Sequence, residues 1–179
     1  MREFALPGQT YYLEMTEPKP ADAAPFMNED AQLVELVPSD PAVNRRFYLS
    51  VGGPWQWTDK ADWSDDRWRA YVNGLGEAPE PAVEPQERII TSVLHVAGRE
   101  AGYFELSVVG DQVEIRYFGL LPWAFGQGLG RPLLSAAIAR GWRAGARRLW
   151  VHTCDKDHPA ALPNYQKCGF SLYKTVDEQ

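Results

Sequence analysis

The chain has 179 residues, 45% of them apolar and 23% charged, enough for one globular domain over 1–179 with a sizeable core. Its net charge of −6, with no long basic run, argues against nucleic acid as a partner, because phosphate binding needs clustered Lys and Arg. Two cysteines are too few for a disulfide framework, no run approaches the ~20 apolar residues of a membrane span, and Met1–Gly8 has no apolar stretch long enough for a signal peptide, so a cytoplasmic protein without membrane contact is expected.

In chain order, Tyr11–Met15 reads as a strand. Thr16–Ala31, with Pro18, Pro20 and Pro25, has neither helical nor strand periodicity and reads as a loop. Ser39-Asp40-Pro41 is a helix-start signal, and the helix should run to Leu49, stopped by Gly52-Gly53-Pro54. An aromatic loop with Trp55, Trp57 and Trp63 follows. Ser64 then suits an N-cap for a helix over Asp65–Val72, with Asp65 and Asp66 in its first turn. Gly74–Glu87, with Pro79, Pro81 and Pro85, reads as a second loop.

Arg88–Val96, Ala101–Val109 and Gln112–Leu121 read as an antiparallel meander turning at Gly98 and Gly110-Asp111. If Gly110-Asp111 is a two-residue turn, Val109 faces Gln112, Ser107 faces Glu114, and Glu105 faces Arg116 as a cross-strand ion pair. A helix follows over about Leu129–Ala144, where Leu134, Ile138 and Trp142 recur every four residues and Pro132 falls in the first turn. Arg147–Thr153 is a strand, Pro159–Cys168 a short helix ended by Gly169, and Phe170–Val176 a last strand.

Between the meander and the long helix lies Phe125-Gly126-Gln127-Gly128-Leu129-Gly130-Arg131. Alternating glycines let the backbone approach a ligand closely, and the free N–H groups and dipole of the helix start favour an anion. Arg131 adds a positive charge. The stretch fits neither the dinucleotide pattern G-x-G-x-x-G nor the Gly-Lys-Ser/Thr of a nucleotide P-loop.

The glycine turn and its helix, preceded by the meander and followed by Tyr165-Gln166-Lys167-Cys168-Gly169-Phe170, resemble the GNAT superfamily of N-acetyltransferases. The family's cofactor motif, Arg/Gln-x-x-Gly-x-Gly/Ala, falls on Phe125–Gly130, with Phe125 replacing the polar first residue. Its second motif, a short helix ending in Tyr-x-x-x-Gly-Phe, falls on Tyr165, Gly169 and Phe170, with Ala161 four residues before the tyrosine. The close resemblance covers residues 88–176. It implies an α/β fold with a mixed, mostly antiparallel central sheet flanked by helices. The implied reaction is acetyl transfer from acetyl-CoA, as co-substrate, to a primary amine of a small molecule or peptide. A non-catalytic acyl-CoA-binding module is the alternative, and a homodimer is compatible with the family.

The resemblance also implies the site. Gly126, Gln127, Gly128, Leu129, Gly130 and Arg131 would hold the pyrophosphate, and the backbone at Gly119, Leu120 and Leu121 the pantetheine and oxyanion. Tyr165 would protonate the departing thiolate, since a phenol of pKa ~10 is protonated at neutral pH. Glu114 would act as base. Trp55, Trp57, Trp63 and Trp68 among Asp59, Asp62, Asp65 and Asp66 would suit a cationic acceptor. His152, Asp155 and His158 are further candidates for the acceptor pocket. The spacing His152-x-Cys154-x-x-x-His158 matches no standard zinc site, and no metal is expected.

Overall fold

The computed structural model describes residues 8–19, 24–74 and 86–178. Residues 1–7 of the N-terminal stretch, 20–23 of the first loop and 75–85 of the second lie outside the described residues.

The first strand, β1, spans Gln9–Met15. A second, β2 (Ala31–Leu36), is added to the elements read from the sequence. Helix α1 (Pro41–Gly52) starts where the sequence signals it: Asp40 accepts from the Ala42 N–H at 2.9 Å, and Pro41 occupies the first turn. Helix α2 (Asp65–Asn73) is capped by Ser64, which accepts from the Arg67 N–H at 3.2 Å, and it ends at Gly74 with φ +68°. The meander is β3 (Glu87–Val96), β4 (Arg99–Val109) and β5 (Gln112–Leu120). Helix α3 (Gly130–Arg143), β6 (Arg148–Cys154), α4 (Ala161–Lys167) and β7 (Ser171–Asp177) complete the chain.

All seven strands form one sheet, in the order β2-β3-β4-β5-β6-β1-β7. Every neighbouring pair is antiparallel except β5 and β6. Strand β4 carries an unbroken buried run from Ala101 to Val108, as a central strand covered on both faces must. On one face α3 and α4 pack over Leu13, Leu94, Phe104, Leu106, Ile115 and Leu149. On the other, α1 and α2 bring Phe47, Tyr48, Val51 and Trp68 against Val93, Tyr103 and Tyr117. Among the described residues, no helix is long and apolar enough to cross a membrane.

Two departures from strict pairing shape the centre. The β4–β5 register begins as the two-residue turn dictates, with Val109 opposite Gln112 and Ser107 opposite Glu114. It then shifts, so Glu105 faces Tyr117 and not Arg116. The extra residue on β5 is a β-bulge, and the expected Glu105–Arg116 ion pair is replaced. Arg116 instead pairs with Glu114 and Glu87, while the buried Glu105 accepts from Asn44 and Tyr71. The second departure is the parallel pairing of β5 with β6. It holds only from Gln112↔Arg148 to Glu114↔Trp150, and beyond that point the strands part.

Candidate active site

Where β5 and β6 separate, a cavity of about 840 Å³ opens through the sheet. From Ile115 onward, the side of β5 turned away from β4 has no strand partner, so its backbone polar groups face the cavity edge. An extended ligand can pair there as an added strand does. Gly119 and Leu120 line the cavity, but Leu121 does not, and its N–H is already bonded to the Ala101 carbonyl at 2.7 Å.

The glycine turn forms one wall. Gly126 and Gly128 adopt φ of +72° and +71°, the left-handed region that glycine enters without steric cost. A Cβ at either would meet no atom within 4 Å, so the space over the turn is open. Helix α3 then begins at Gly130 with no side chain capping it, which leaves its positive end turned to this space. Gly130 has an ordinary backbone conformation, and its nearest Cβ contact would be Leu120 at 3.9 Å. The fold alone does not need glycine there, whereas a ligand lying against the helix start does. Phe125, Leu129 and Arg131 also line the cavity, while Gln127 turns back to donate to the Trp123 carbonyl. Main-chain donors of this kind can hold an anion such as a pyrophosphate without a polar side chain at position 125.

Tyr165 is fixed by the end of α4. The Phe170 N–H donates to the Tyr165 carbonyl at 3.1 Å and the Gly169 N–H to the Gln166 carbonyl at 3.0 Å. Gly169 has φ +100°. These are the paired bonds of a Schellman cap, whose usual apolar contact is present as the Phe170 ring edge-on to Tyr165 at 6.0 Å. The Tyr-x-x-x-Gly-Phe motif is therefore a device for aiming the tyrosine into the cavity. Burial pushes the Tyr165 phenol up, with Asp157 and Cys168 adding to the shift, and this keeps it protonated at neutral pH. Replacing Gly169 by Ala forces an L-residue into that conformation. We expect a loss of roughly 1–2 kcal/mol in thermal or denaturant unfolding; an unchanged midpoint would show that the cap does not hold α4.

Glu114 lies on the rim where the strands part, and only 4% of its side chain is exposed. Its Oε2 accepts from Arg116 Nε at 3.0 Å and Nη2 at 2.9 Å, and its Oε1 faces His152 Nδ1 at 3.3 Å. Burial alone would raise its carboxyl, but the His152 hydrogen bond and the Arg116 charge pull it below the usual range. Strand reading puts His152 and Cys154 on one face, and both do line the cavity. The partnership of His152 with Glu114 is a contact between neighbouring strands that spacing along the chain does not reveal.

The tryptophan–aspartate cluster divides. Trp55, Trp57 and Asp59 line the cavity, as does His158, against whose ring Trp55 packs at 5.0 Å. Trp68 is core, and Asp65 and Asp66 pair with Arg45 and Arg69. Trp63 instead faces a cation of the chain itself. Lys60 Nζ lies 4.9, 5.1 and 5.0 Å from the ring centroids of Trp63, Tyr71 and Tyr117. It donates to Asp59 Oδ2 at 2.9 Å and to the Tyr117 hydroxyl at 2.6 Å. Tyr117 and Tyr48 in turn donate to the two Asp59 oxygens at 2.7 and 2.8 Å. Asp59 remains 60% exposed, a carboxylate held rigidly at the cavity mouth. Among the described residues no His, Cys, Asp and Glu are grouped to hold a metal, and both cysteines are free thiols.

The Acetyltransferase (GNAT) family model matches residues 46–170. A GCN5-related N-acetyltransferase from Sphaerobacter thermophilus superposes with a TM-score of 0.69 at 16% identity, covering 96% of this chain and 50% of its own. The ribosomal-protein-S18-alanine N-acetyltransferase of Escherichia coli gives 0.57 at 20% identity, with 80% and 79% covered. An aminoglycoside acetyltransferase from an uncultured soil metagenomic sample, in complex with sisomicin, gives 0.59 at 12% identity, with 86% and 96% covered. At these identities the likeness is one of fold, and the chain spans half the length of the Sphaerobacter protein. No curated protein is significantly similar in sequence.

Proposed function

The chain belongs to the acetyltransferase (GNAT) family, and from that membership we propose that it moves an acetyl group from acetyl-CoA to a primary amine by direct attack on the thioester. One observation carries the reading: an anion cradle, an unpaired strand edge, a protonated buried tyrosine and a carboxylate–imidazole pair meet in one cavity. In this reading the whole chain acts as one acetyltransferase domain. The donors of Gly126–Arg131 take the pyrophosphate, and the open edge of β5 near Gly119 and Leu120 pairs with the pantetheine arm. Backbone N–H groups there also stabilise the oxyanion. Tyr165 gives its proton to the departing sulfur.

A lysine-like amine of pKa ~10.4 must lose a proton before attack, at a cost of about 4.6 kcal/mol at pH 7. The base is therefore a working part of the site, and Glu114 belongs to it. Asp59, with Trp55 and Trp57, forms the wall for a cationic acceptor of small-molecule or peptide class. That two proteins of this fold act on an aminoglycoside and on a protein alanine supports amines as the acceptor class.

The test is thiol release from acetyl-CoA against a panel of amines and peptides. Binding of acetyl-CoA without transfer to any of them would leave only an acyl-CoA-binding module. The cradle has its own test in Gly130→Ala. Alanine is the better helix residue by about 1 kcal/mol, so unfolding should be unchanged or slightly delayed. In this reading its methyl group would crowd the pyrophosphate, and one ill-placed methyl is worth about 1–3 kcal/mol, so the acetyl-CoA Kd should rise roughly tenfold. Equal affinity by calorimetry would move the pyrophosphate away from this turn.

A further inference from the structure

Within the acetyl-transfer reading, the geometry points to His152 as the group that takes the proton from the acceptor amine, with Glu114 as the residue that positions it. Glu114 also lines the cavity, but both its oxygens are engaged: it is almost fully buried, Arg116 holds Oε2 by two bonds, and Oε1 is turned to His152. His152 is what the pair presents. Its side chain is 46% exposed and lines the cavity two residues beyond the last β5–β6 pair. The ring is set by Tyr12 at 5.6 Å and Trp150 at 6.1 Å. When Nδ1 carries its hydrogen toward Glu114 Oε1, 3.3 Å away, Nε2 carries the lone pair, and among the described residues Nε2 has no hydrogen-bond partner. A carboxylate fixing one imidazole nitrogen so that the other acts as base is the logic of hydrolytic triads. The charged and titratable groups around the imidazole are Glu114 and Arg116 on β5, Tyr12 on β1, and Lys174 of β7 over the Tyr12 ring at 5.1 Å.

The step balances. The acceptor ammonium first passes one proton through Nε2 to solvent; the neutral amine then forms a C–N bond at the thioester carbonyl, and its nitrogen, now positive, gives a second proton to Nε2. The C–S bond breaks with its electron pair on sulfur, which takes the Tyr165 proton. Solvent then removes the proton from the imidazolium and returns one to the phenolate, so amine and thioester become amide and thiol.

Two measurements test this. His152→Asn keeps a donor toward Glu114 but has no base. With an amine that the wild-type enzyme acetylates, it should lower kcat by about 10²-fold, abolish the acidic limb of the pH–rate profile, and leave the acetyl-CoA Kd from calorimetry unchanged. Glu114→Gln should retain an acidic limb, displaced from its wild-type position. If His152→Asn keeps the wild-type rate and limb while Glu114→Gln abolishes the limb, Glu114 is itself the base and the inference falls. The second measurement needs no acceptor. The chain has three histidines, so the His152 15N shifts can be assigned, and they should report the Nδ1–H tautomer in the wild type. The Nε2–H tautomer would overturn the inference even if no acceptor were known. Absence of transfer to every amine, with the Nδ1–H tautomer present, would instead count against the acetyl-transfer reading.

Discussion

Tyr165→Phe is expected to lower kcat by about 10²-fold or more while leaving the fold intact. The substitution removes one oxygen and keeps the ring that is 7% exposed and packed edge-on against Phe170. The Schellman bonds around Gly169 involve only main chain, so α4 keeps its end. What is lost is a hydroxyl that burial holds in its protonated form and that lines the cavity, where the proposed reaction would use it to protonate the leaving sulfur. Acetyl-CoA affinity should stay near the wild-type value, because the phenol acts on charge that develops only as the C–S bond breaks. A full turnover rate in the variant would remove Tyr165 from the mechanism and leave its motif a structural one.

The largest effect on stability should come from Glu105→Ala. Glu105 is fully buried on β4 and accepts from Asn44 of α1 and Tyr71 of α2, so one carboxylate ties both helices to the sheet. Alanine leaves a void and strips Tyr71 and Asn44 of that acceptor. Asn44 keeps only Thr91 as a partner for its amide N–H, at 2.8 Å. The cost should be about 3–5 kcal/mol, a fall in Tm of roughly 10 °C for a chain of this size. Because Tyr71 also accepts from Arg116, the same change should loosen the Arg116 grip on Glu114 and reduce activity at temperatures where the fold survives. Glu105→Gln keeps the shape and an acceptor oxygen, and should cost far less. Burial pushes the Glu105 carboxyl up, against the pull of Tyr71 and Asn44. Its share of stability therefore declines as pH rises from the ordinary carboxylate range through the raised value, and the Gln variant should lack that decline. A Glu105→Ala protein within 1 kcal/mol of wild type would show that the tie is dispensable.

Local chemistry made much of this legible in advance. Asp40, Ser64 and Gly169 announce their helix ends because caps are short-range hydrogen-bond and backbone effects. The Gly110-Asp111 turn sets the facing of Ser107 and Glu114 because a two-residue hairpin fixes register. The prediction fails one step further on, at Arg116. A bulge of this kind needs no glycine and leaves no mark in the alternation. Strand β2 is missed for a similar reason: its six residues follow a proline-rich stretch, and Leu33-Val34 breaks the period of two. The Glu114–His152 pair and the filling of the aromatic cage by Lys60 are contacts between distant segments. No pattern along the chain encodes them, because they arise only when β5 and β6 lie parallel and the loop before α2 folds onto Tyr117.

The place of β1 has a consequence for how the molecule is made. Gln9–Met15 precedes every other strand of the sheet along the chain, yet its hydrogen-bond partners are Leu149–Cys154 on one side and Ser171–Asp177 on the other. On the ribosome Leu13 and Met15, both buried in the folded sheet, wait without their strand partners until β6 and β7 emerge. Strand β1 is thus the keystone of the far half: until it slides in, β6 has no neighbour beyond β5 and β7 has no neighbour at all. Assembly of that half therefore waits for β7 to be made, and a tether that restrains β1 should slow it most.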